Sequence, residues 1–198
     1  MLRLLRPPAP ITPETPDEAL VRRAQKGEHE AFKVLFERHV LSVRRFLRDL
    51  IRDTDAADDA TQETFTRAHV QLPRLGDHDR FKPWVFGIAR NVAFEVKRVR
   101  QHEPLEGEDD EVPAAVIPAP DPERLLLDRE LEGQFASALA GLSEHRRAVL
   151  LLRLDHGLSY DDIAAAMGWT LPMVKNEIHR ARLAMRASLL PHLGGPTP

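Results

Sequence analysis

The sequence predicts an all-α fold of two small helical domains joined by a flexible acidic linker. Apolar residues recur about every 3.6 positions through most of the chain, and no segment alternates as a half-buried strand does. An acidic, proline-rich stretch interrupts this periodicity, and a helix-turn-helix pattern follows it. We therefore expect a disordered extension, a first helical domain, a linker, a second helical domain and a tail, over residues 1–16, 17–100, 101–123, 124–193 and 194–198.

The composition is that of a globular protein, and it excludes several kinds of chemistry. Of 198 residues, 42% are hydrophobic and none is cysteine, so the chain has no disulfide, thiolate metal ligand or cysteine nucleophile. The lack of cysteine also fits a reducing compartment. Residues 1–8 do not contain the apolar run of a signal peptide or membrane span. We expect a cytoplasmic protein that does not insert into a membrane.

The linker concentrates the negative charge of the chain. Residues 103–123 contain eight acidic residues and five prolines, without lysine or arginine. When these eight charges are set aside, the formal net charge of −3 becomes +5 for the rest of the chain. So polar a segment buries too little apolar surface to offset the entropy lost on ordering. We interpret it as a solvated tether between two basic-leaning domains.

Three helices are expected in the first domain. A stripe of period 3.6 marks the first within Phe32–Ile51, and the second covers about Ala56–Leu72, where Pro73 and Gly76 follow. The third begins near Phe81. Its predicted apolar face comprises Trp84, Val85, Ile88, Ala89, Val92, Val96 and Val99.

Two surfaces of these helices carry polar patterns. The second helix has a ridge, Asp58, Asp59, Gln62 and Glu63, opposite Thr61, which suits either an arginine-bearing partner or plain solvent. The third helix is basic towards its end, where lysine and arginine outnumber acids. Aromatic rings near its start could stack on single-stranded DNA. Trp84 lies on the apolar stripe, which favours core packing, whereas Phe86 lies off it and is the better candidate.

The second domain begins with helices expected over about 126–142 and 144–155, followed by the helix-turn-helix. Ser159 precedes Asp162 as in a capping box, and Gly168 can end the first helix in the left-handed conformation. The second helix of the motif then exposes residue types that meet phosphates and base edges: Lys175, Asn176, His179, Arg180 and Arg182. The alternative is an ordinary helical hairpin with a solvated basic face.

Taken together, these motifs resemble the extracytoplasmic-function (ECF, group 4) sigma factors of bacterial RNA polymerase, over nearly the whole chain. Residues 58–65 resemble region 2.2 of that family, and residues 81–91 with Lys97 and Arg98 resemble regions 2.3 and 2.4. Residues 142–146, 159–168 and 179–182 resemble region 4. The family lacks a full region 3, and here only the tether separates the domains.

The resemblance implies a site for each partner. The ridge Asp58, Asp59, Gln62 and Glu63 would dock on the clamp coiled coil of core RNA polymerase. The third helix and the loop before it would hold a flipped base of the −10 element, with Arg80, Phe86, Arg90, Asn91, Lys97 and Arg98 on the DNA. The −35 element would be read by Lys175, Asn176, His179 and Arg180, with Arg182 nearer the phosphates.

The resemblance further implies an anti-sigma factor as a controlling partner, and neither a cofactor nor a metal. One departure concerns the recognition helix, where Pro172 and Met173 replace the usual Gly-Thr and leave the −35 sequence open. Two other classes of function account for less of the sequence. A different DNA-binding regulator would leave the acidic ridge unexplained. An enzyme would need a catalytic motif such as His-Glu-x-x-His or a glycine-rich phosphate loop, and the sequence contains neither.

Overall fold

The computed structural model describes residues 10–12, 14–102 and 133–190. Every regular element in these ranges is helical, which confirms the all-α prediction. The linker prediction for 101–123 and the tail prediction for 194–198 fall almost wholly outside the described residues, as does most of the N-terminal extension. The helices are α1 (Asp17–Ala24), α2 (His29–Ile51), α3 (Thr54–Gln71), α4 (Phe81–His102), α5 (133–140), α6 (Glu144–Leu154), α7 (Tyr160–Met167) and α8 (Leu171–Leu189).

The first domain is a bundle in which α2, α3 and α4 pack on one another and α1 packs across α2. The predicted apolar stripe of α2 is buried, with Leu35, Val43 and Leu47 fully inaccessible to solvent. Between α2 and α3 the chain turns at Arg52, whose φ of 64° is left-handed. Asp53 then accepts a 2.8 Å hydrogen bond from the Ala56 amide and begins α3.

The loop between α3 and α4 is fixed by Gln25, at the end of α1. The Gln25 side-chain amide donates to the main-chain carbonyls of Leu72 and Leu75, at 2.9 and 2.8 Å. Its carbonyl oxygen lies 3.0 Å from Nε2 of His78. Short 3₁₀ turns at Leu72–Arg74 and His78–Arg80 complete the loop. Because Gln25 satisfies these backbone groups, the start of α4 is held in place against α1.

The second domain contains the helix-turn-helix where the sequence predicted it. The Ser159 hydroxyl oxygen accepts a hydrogen bond from the Asp162 amide at 3.1 Å and begins α7. Gly168 ends α7 with a φ of 65°, in the left-handed region. Val174 and Ile178 of α8 are buried against the rest of the domain. The motif therefore presents the opposite side of α8 to solvent.

Some predictions about α4 are wrong. Phe86 was expected to offer a free ring, but it is 0% exposed and its ring packs edge-on against Phe46. Trp84 is half-buried and packs against the core, as its place on the apolar stripe predicted. Val99 was assigned to the apolar face and is 55% exposed. The sequence stripe misplaced Phe86 because burial on α4 comes from two directions, α2 and α3 on one side and the second domain on another.

The two domains pack directly against each other through α4 and α7. Buried apolar residues of both domains form one continuous cluster, which includes Phe46 and Phe86 of the first and Leu152, Leu158 and Ile163 of the second. The domain boundaries therefore describe the sequence only. In the described part of the chain, one hydrophobic core contains residues of both domains.

Candidate nucleic-acid interface

The acidic ridge on α3 is exposed along its length, with Asp58, Asp59, Gln62 and Glu63 all on the surface. Asp58 receives two hydrogen bonds from Arg44 of α2, and this pairing lowers the pKa of the Asp58 carboxyl. Within the described residues, the Asp59 side chain has no hydrogen bond or ion pair. Asp59 therefore has a free carboxylate for a partner, whereas Asp58 presents one already shared with a guanidinium.

An apolar groove of about 510 Å³ lies beside the ridge. Asp58 and Gln62 form its polar edge, and its walls are mainly apolar side chains of α2 and α3: Phe36, Val40, Phe65 and Val70. Phe36 is 37% exposed and Val70 is 71% exposed. Sequence reasoning placed Phe36 in the core stripe and did not single out Val70. The ridge and the groove together form a surface that suits a helix with both basic and apolar side chains.

The loop before α4 carries Arg80, whose guanidinium lies 3.4 Å from the Asp77 carboxylate. Further along α4, Asn91 is exposed and its Oδ1 accepts hydrogen bonds from Arg90. Arg98 is also on the surface. The structure thus leaves Asn91 and Arg98 accessible on the outer part of α4.

Three other α4 residues assigned to the −10 element face the second domain. Arg90 donates to the main-chain carbonyl of Met167, and burial lowers the pKa of its guanidinium. Lys97 forms a 2.9 Å ion pair with Glu144 of α6. Phe86 also contacts the ring of His156, at a centroid distance of 4.7 Å. The structure therefore divides the predicted −10 set into an accessible group and a covered group.

Glu95 lies on the same helix as Asn91 and is held by Arg67 of α3. Arg67 donates two hydrogen bonds to the Glu95 carboxylate, and a third, at 2.6 Å, to Glu63 of the ridge. These bonds lower the pKa of Glu95. Arg67 was not singled out in the sequence. Its spacing four residues after Glu63 is the only signal that could have pointed to it.

The recognition helix α8 exposes every residue predicted for it: Lys175, Asn176, His179, Arg180 and Arg182. Glu177 lies among them and is 2.8 Å from Arg146 of α6 and 3.2 Å from Arg180. Pro172 falls in the first turn of α8, where no amide donor is needed, and Met173 is 47% exposed. Arg146 therefore holds Glu177 in place, and Glu177 in turn orients Arg180 on this face.

No helix within residues 10–12, 14–102 and 133–190 combines the length and apolar character needed to cross a bilayer. Nor do these ranges contain a cluster of three or more histidine and acidic side chains suited to a metal ion.

A helix-turn-helix domain with a basic outer face, packed against another helical domain that carries an acidic ridge, defines a DNA-binding transcription factor. Comparison with known proteins identifies the family of transcription factor. The family pattern described as "Sigma-70 region 2" matches residues 35–103, and "Sigma-70, region 4" matches residues 132–185.

Curated relatives agree along almost the whole length. The chain is 32% identical to the RNA polymerase sigma-H factor of Pseudomonas aeruginosa over 184 residues, which is 89% of this chain and 95% of the relative. It is 31% identical to the ECF RNA polymerase sigma-E factor of Escherichia coli K12 over 182 residues, 88% and 95% of the two chains.

Two solved structures have a similar fold. One is CnrH in complex with the cytosolic domain of CnrY, with a TM-score of 0.65, 29% identity and coverage of 87% of this chain and 96% of that one. The other is the sigma factor RpoE in complex with the anti-sigma factor NepR from Bartonella quintana, with a TM-score of 0.65, 26% identity and coverage of 80% and 96%.

The chain belongs to the sigma-70 family of bacterial RNA polymerase sigma factors, within its ECF group. It binds core RNA polymerase, recognises promoter DNA and directs the initiation of transcription. A sigma factor does this by binding and is not itself an enzyme.

Proposed function

We propose that this sigma factor uses three separate surfaces for its three contacts with the transcription machinery. The observation that carries the proposal is the placement of α8, where Val174 and Ile178 are buried while Lys175, Asn176 and Arg180 are exposed. One face of α8 is thereby committed to the core and the other is available to a DNA groove. A helix of this kind can enter the major groove and contact base edges.

The first surface is the α3 ridge with its adjoining groove, which would dock on core polymerase. Asp59 and Gln62 offer exposed polar groups, and the exposed ring of Phe36 and the exposed methyl groups of Val70 offer apolar area that becomes buried on binding. Removal of water from the contact would strengthen pairing between the Asp59 carboxylate and a partner arginine.

The second surface is α4 with the loop before it, which would hold the −10 element. Asn91 would bind an extruded base, and Arg98, Arg90 and Lys97 would clamp phosphates. Extrusion of a base costs a few kcal/mol, so these contacts must compensate for lost stacking. The third surface is the exposed face of α8, where Lys175, Asn176, His179 and Arg180 would read the −35 element and Arg182 would contact the backbone.

We further propose control by an anti-sigma factor that competes with core polymerase for the first surface. Two sigma-family structures with a similar fold support this, since one contains RpoE bound to NepR and the other CnrH bound to CnrY. The factor would act in the cytoplasm, where core polymerase is found, and would serve a stress or envelope-response regulon.

The experiment that tests the polymerase surface is reconstitution with core RNA polymerase. Purified chain and core enzyme are mixed with genomic fragments, and run-off transcripts identify the promoters used. Asp59→Lys should weaken association with core polymerase at least tenfold and reduce transcription accordingly. Glu14→Lys is the matched control, because it makes the same charge change at an exposed residue outside the ridge. Unchanged association of the Asp59 variant would rule out docking through the ridge.

A further inference from the structure

A single side chain at the end of α1 contacts the loop before α4 at three points. The Gln25 amide nitrogen donates to the main-chain carbonyls of Leu72 and Leu75, at 2.9 and 2.8 Å. The Gln25 amide oxygen lies 3.0 Å from Nε2 of His78. Helix α1 and Gln25 precede residues 35–103, the segment that matches sigma-70 region 2. The loop is therefore held by a side chain that lies outside the family match.

The contacts begin at the turn that follows α3. The Leu72 carbonyl also accepts a hydrogen bond from the Leu75 amide at 3.0 Å, which closes this turn. Carbonyl groups at the end of a helix lack partners within the helix and need donors from elsewhere. One side-chain amide has two N–H donors, and here they serve two carbonyls while the amide oxygen remains for His78. Every polar atom of the Gln25 side chain is thus engaged by the loop.

Packing fixes the ends of the loop but not its middle. Leu75 and Phe81 are buried and anchor the two ends, whereas most of the residues between them are exposed. A Cβ atom at Gly76 would meet no atom within 4 Å, so no close packing holds the backbone at that point. The contact of His78 with Gln25 therefore restrains a part of the loop that the hydrophobic core does not reach.

Helix α1, which carries this restraint, is itself fixed to the rest of the first domain. Leu20 of α1 is fully buried. At the start of α1, Asp17 accepts a hydrogen bond from Arg38, and its Oδ2 lies 2.7 Å from Nε2 of His39; both partners belong to α2. Because both an apolar side chain and a charged group attach α1 to the bundle, Gln25 ties the loop to the core of the domain.

We propose that Gln25 is a positioning residue for the −10 element, which holds the loop before α4 in the conformation that receives the extruded base; the proposal rests on the −10 role of this loop proposed above. Gln25 acts through the loop and does not touch the base. A loop that already has its bound conformation loses less entropy when the base arrives. If the loop sampled other conformations, affinity for the base would fall in proportion to the fraction that remains competent.

Gln25→Met tests this role, because it keeps the length of the side chain and removes all three polar contacts. The probe is single-stranded non-template DNA from a promoter that the wild-type holoenzyme transcribes. An abasic nucleotide is placed at each position of its −10 element in turn, and the largest loss of wild-type affinity identifies the extruded base.

The expected defect depends on the presence of that base. Holoenzyme with Gln25→Met should bind the intact strand roughly five- to tenfold more weakly than the wild type does. On the strand that lacks the extruded base, the two holoenzymes should differ by less than about twofold, because the loop has no base to receive. A general loss of stability would instead weaken binding to both strands alike.

Two further variants support the comparison. Lys26→Met is the matched control, since it introduces the same side chain at the next residue, which is exposed. It should bind both strands as the wild type does. Gln25→Asn keeps a polar amide in the half-buried site but is too short to reach both carbonyls, so it should show the same dependence on the base with a smaller loss. Circular dichroism and affinity for core polymerase should match the wild type in all three variants.

The outcomes separate the two proposals. If Gln25→Met weakens binding to the intact and abasic strands by the same factor, or to neither, the positioning role is wrong while the −10 role of the loop stands. If no abasic position lowers the affinity of the wild type, the loop receives no base and both proposals fail. If neither Gln25 variant folds, Gln25 serves the fold as a whole and the positioning role is overturned.

Discussion

Arg67 of α3 donates two hydrogen bonds to the Glu95 carboxylate of α4, at 3.0 and 2.8 Å. The pair joins the helix of the ridge proposed to bind polymerase to the helix proposed for the −10 element. Both side chains are partly exposed, at 32% for Arg67 and 45% for Glu95. The bidentate geometry nevertheless fixes the relative position of the two helices more firmly than a single ion pair would.

A double-mutant cycle on this pair should give a measurable coupling. We expect Arg67→Ala to lower the free energy of unfolding by about 1 kcal/mol, with a coupling to Glu95→Ala of roughly 0.5–1 kcal/mol, as for well-oriented surface pairs. The measurement is urea unfolding of the four proteins at low and high salt. Additive effects of the two substitutions would show that the pair contributes nothing to stability.

Asn91→Ala should impair opening of a promoter duplex more than binding to a pre-melted one. If Asn91 binds an extruded base, the lost contact compensates for a cost that exists only in the duplex. Open-complex formation by holoenzyme on the two templates, followed with permanganate footprinting, provides the comparison. Val99→Ala, also exposed on α4, should behave as the wild type. Equal defects on both templates would mean that Asn91 serves only to position Arg90.

Arg180→Ala should lower both the affinity and the discrimination of the recognition helix. Arg180 is exposed and oriented by Glu177, so its loss should cost roughly 1–3 kcal/mol on the cognate −35 element and less on altered ones. Arg186 is exposed near the end of α8, and its replacement by alanine should weaken binding to all sequences about equally, less so at high salt. Titrations of holoenzyme on cognate and scrambled −35 duplexes measure both. A uniform loss for Arg180→Ala would transfer base reading to Lys175, Asn176 or His179.

His156 should make stability dependent on pH. Burial lowers the pKa of its ring to about 4; nearby Asp155 acts to raise it, and Lys82 and Arg45 act to lower it. In the unfolded chain the pKa is near 6.5, so between pH 6.5 and 4 the unfolded state binds more protons than the folded state. The free energy of unfolding should therefore fall by roughly 2–3 kcal/mol as the pH decreases through this window.

The control is His156→Phe, which keeps an aromatic ring in contact with Phe46 and Phe86 and removes an Nε2 atom that has no hydrogen-bond partner among the described residues. This variant should be at least as stable as the wild type at pH 7, since an unpaired buried polar atom is lost. Urea unfolding at pH 7 and pH 5 compares the two proteins. The same pH dependence in both would exclude His156 as its source.

The sequence predicted local features well, because their causes are local. Ser159, Asp162 and Gly168 mark the boundaries of α7 through capping and backbone conformation, and the structure confirms them. The exposure of α8 followed from the 3.6-residue period once Val174 and Ile178 were assigned to the core. The positions of the family motifs likewise depend only on residue order, and both matched regions include them.

Features that depend on distant segments were not predictable in this way. The period of α4 could not indicate that Phe86 is buried by Phe46 and His156, which are 40 and 70 residues away in the chain. Nor could it show that Arg67 binds Glu95, or that Gln25 holds the loop before α4.

By itself, the sequence determined most of the helices, the caps of α7 and the family, since these depend on side-chain period, backbone preference and motif order. Only the tertiary structure decided which of the α4 residues proposed to contact DNA are exposed. Asn91 and Arg98 are exposed, whereas Arg90 and Lys97 are engaged by Met167 and Glu144. The physical reason is that a helix has several faces, and its own period cannot specify which of them another domain will cover.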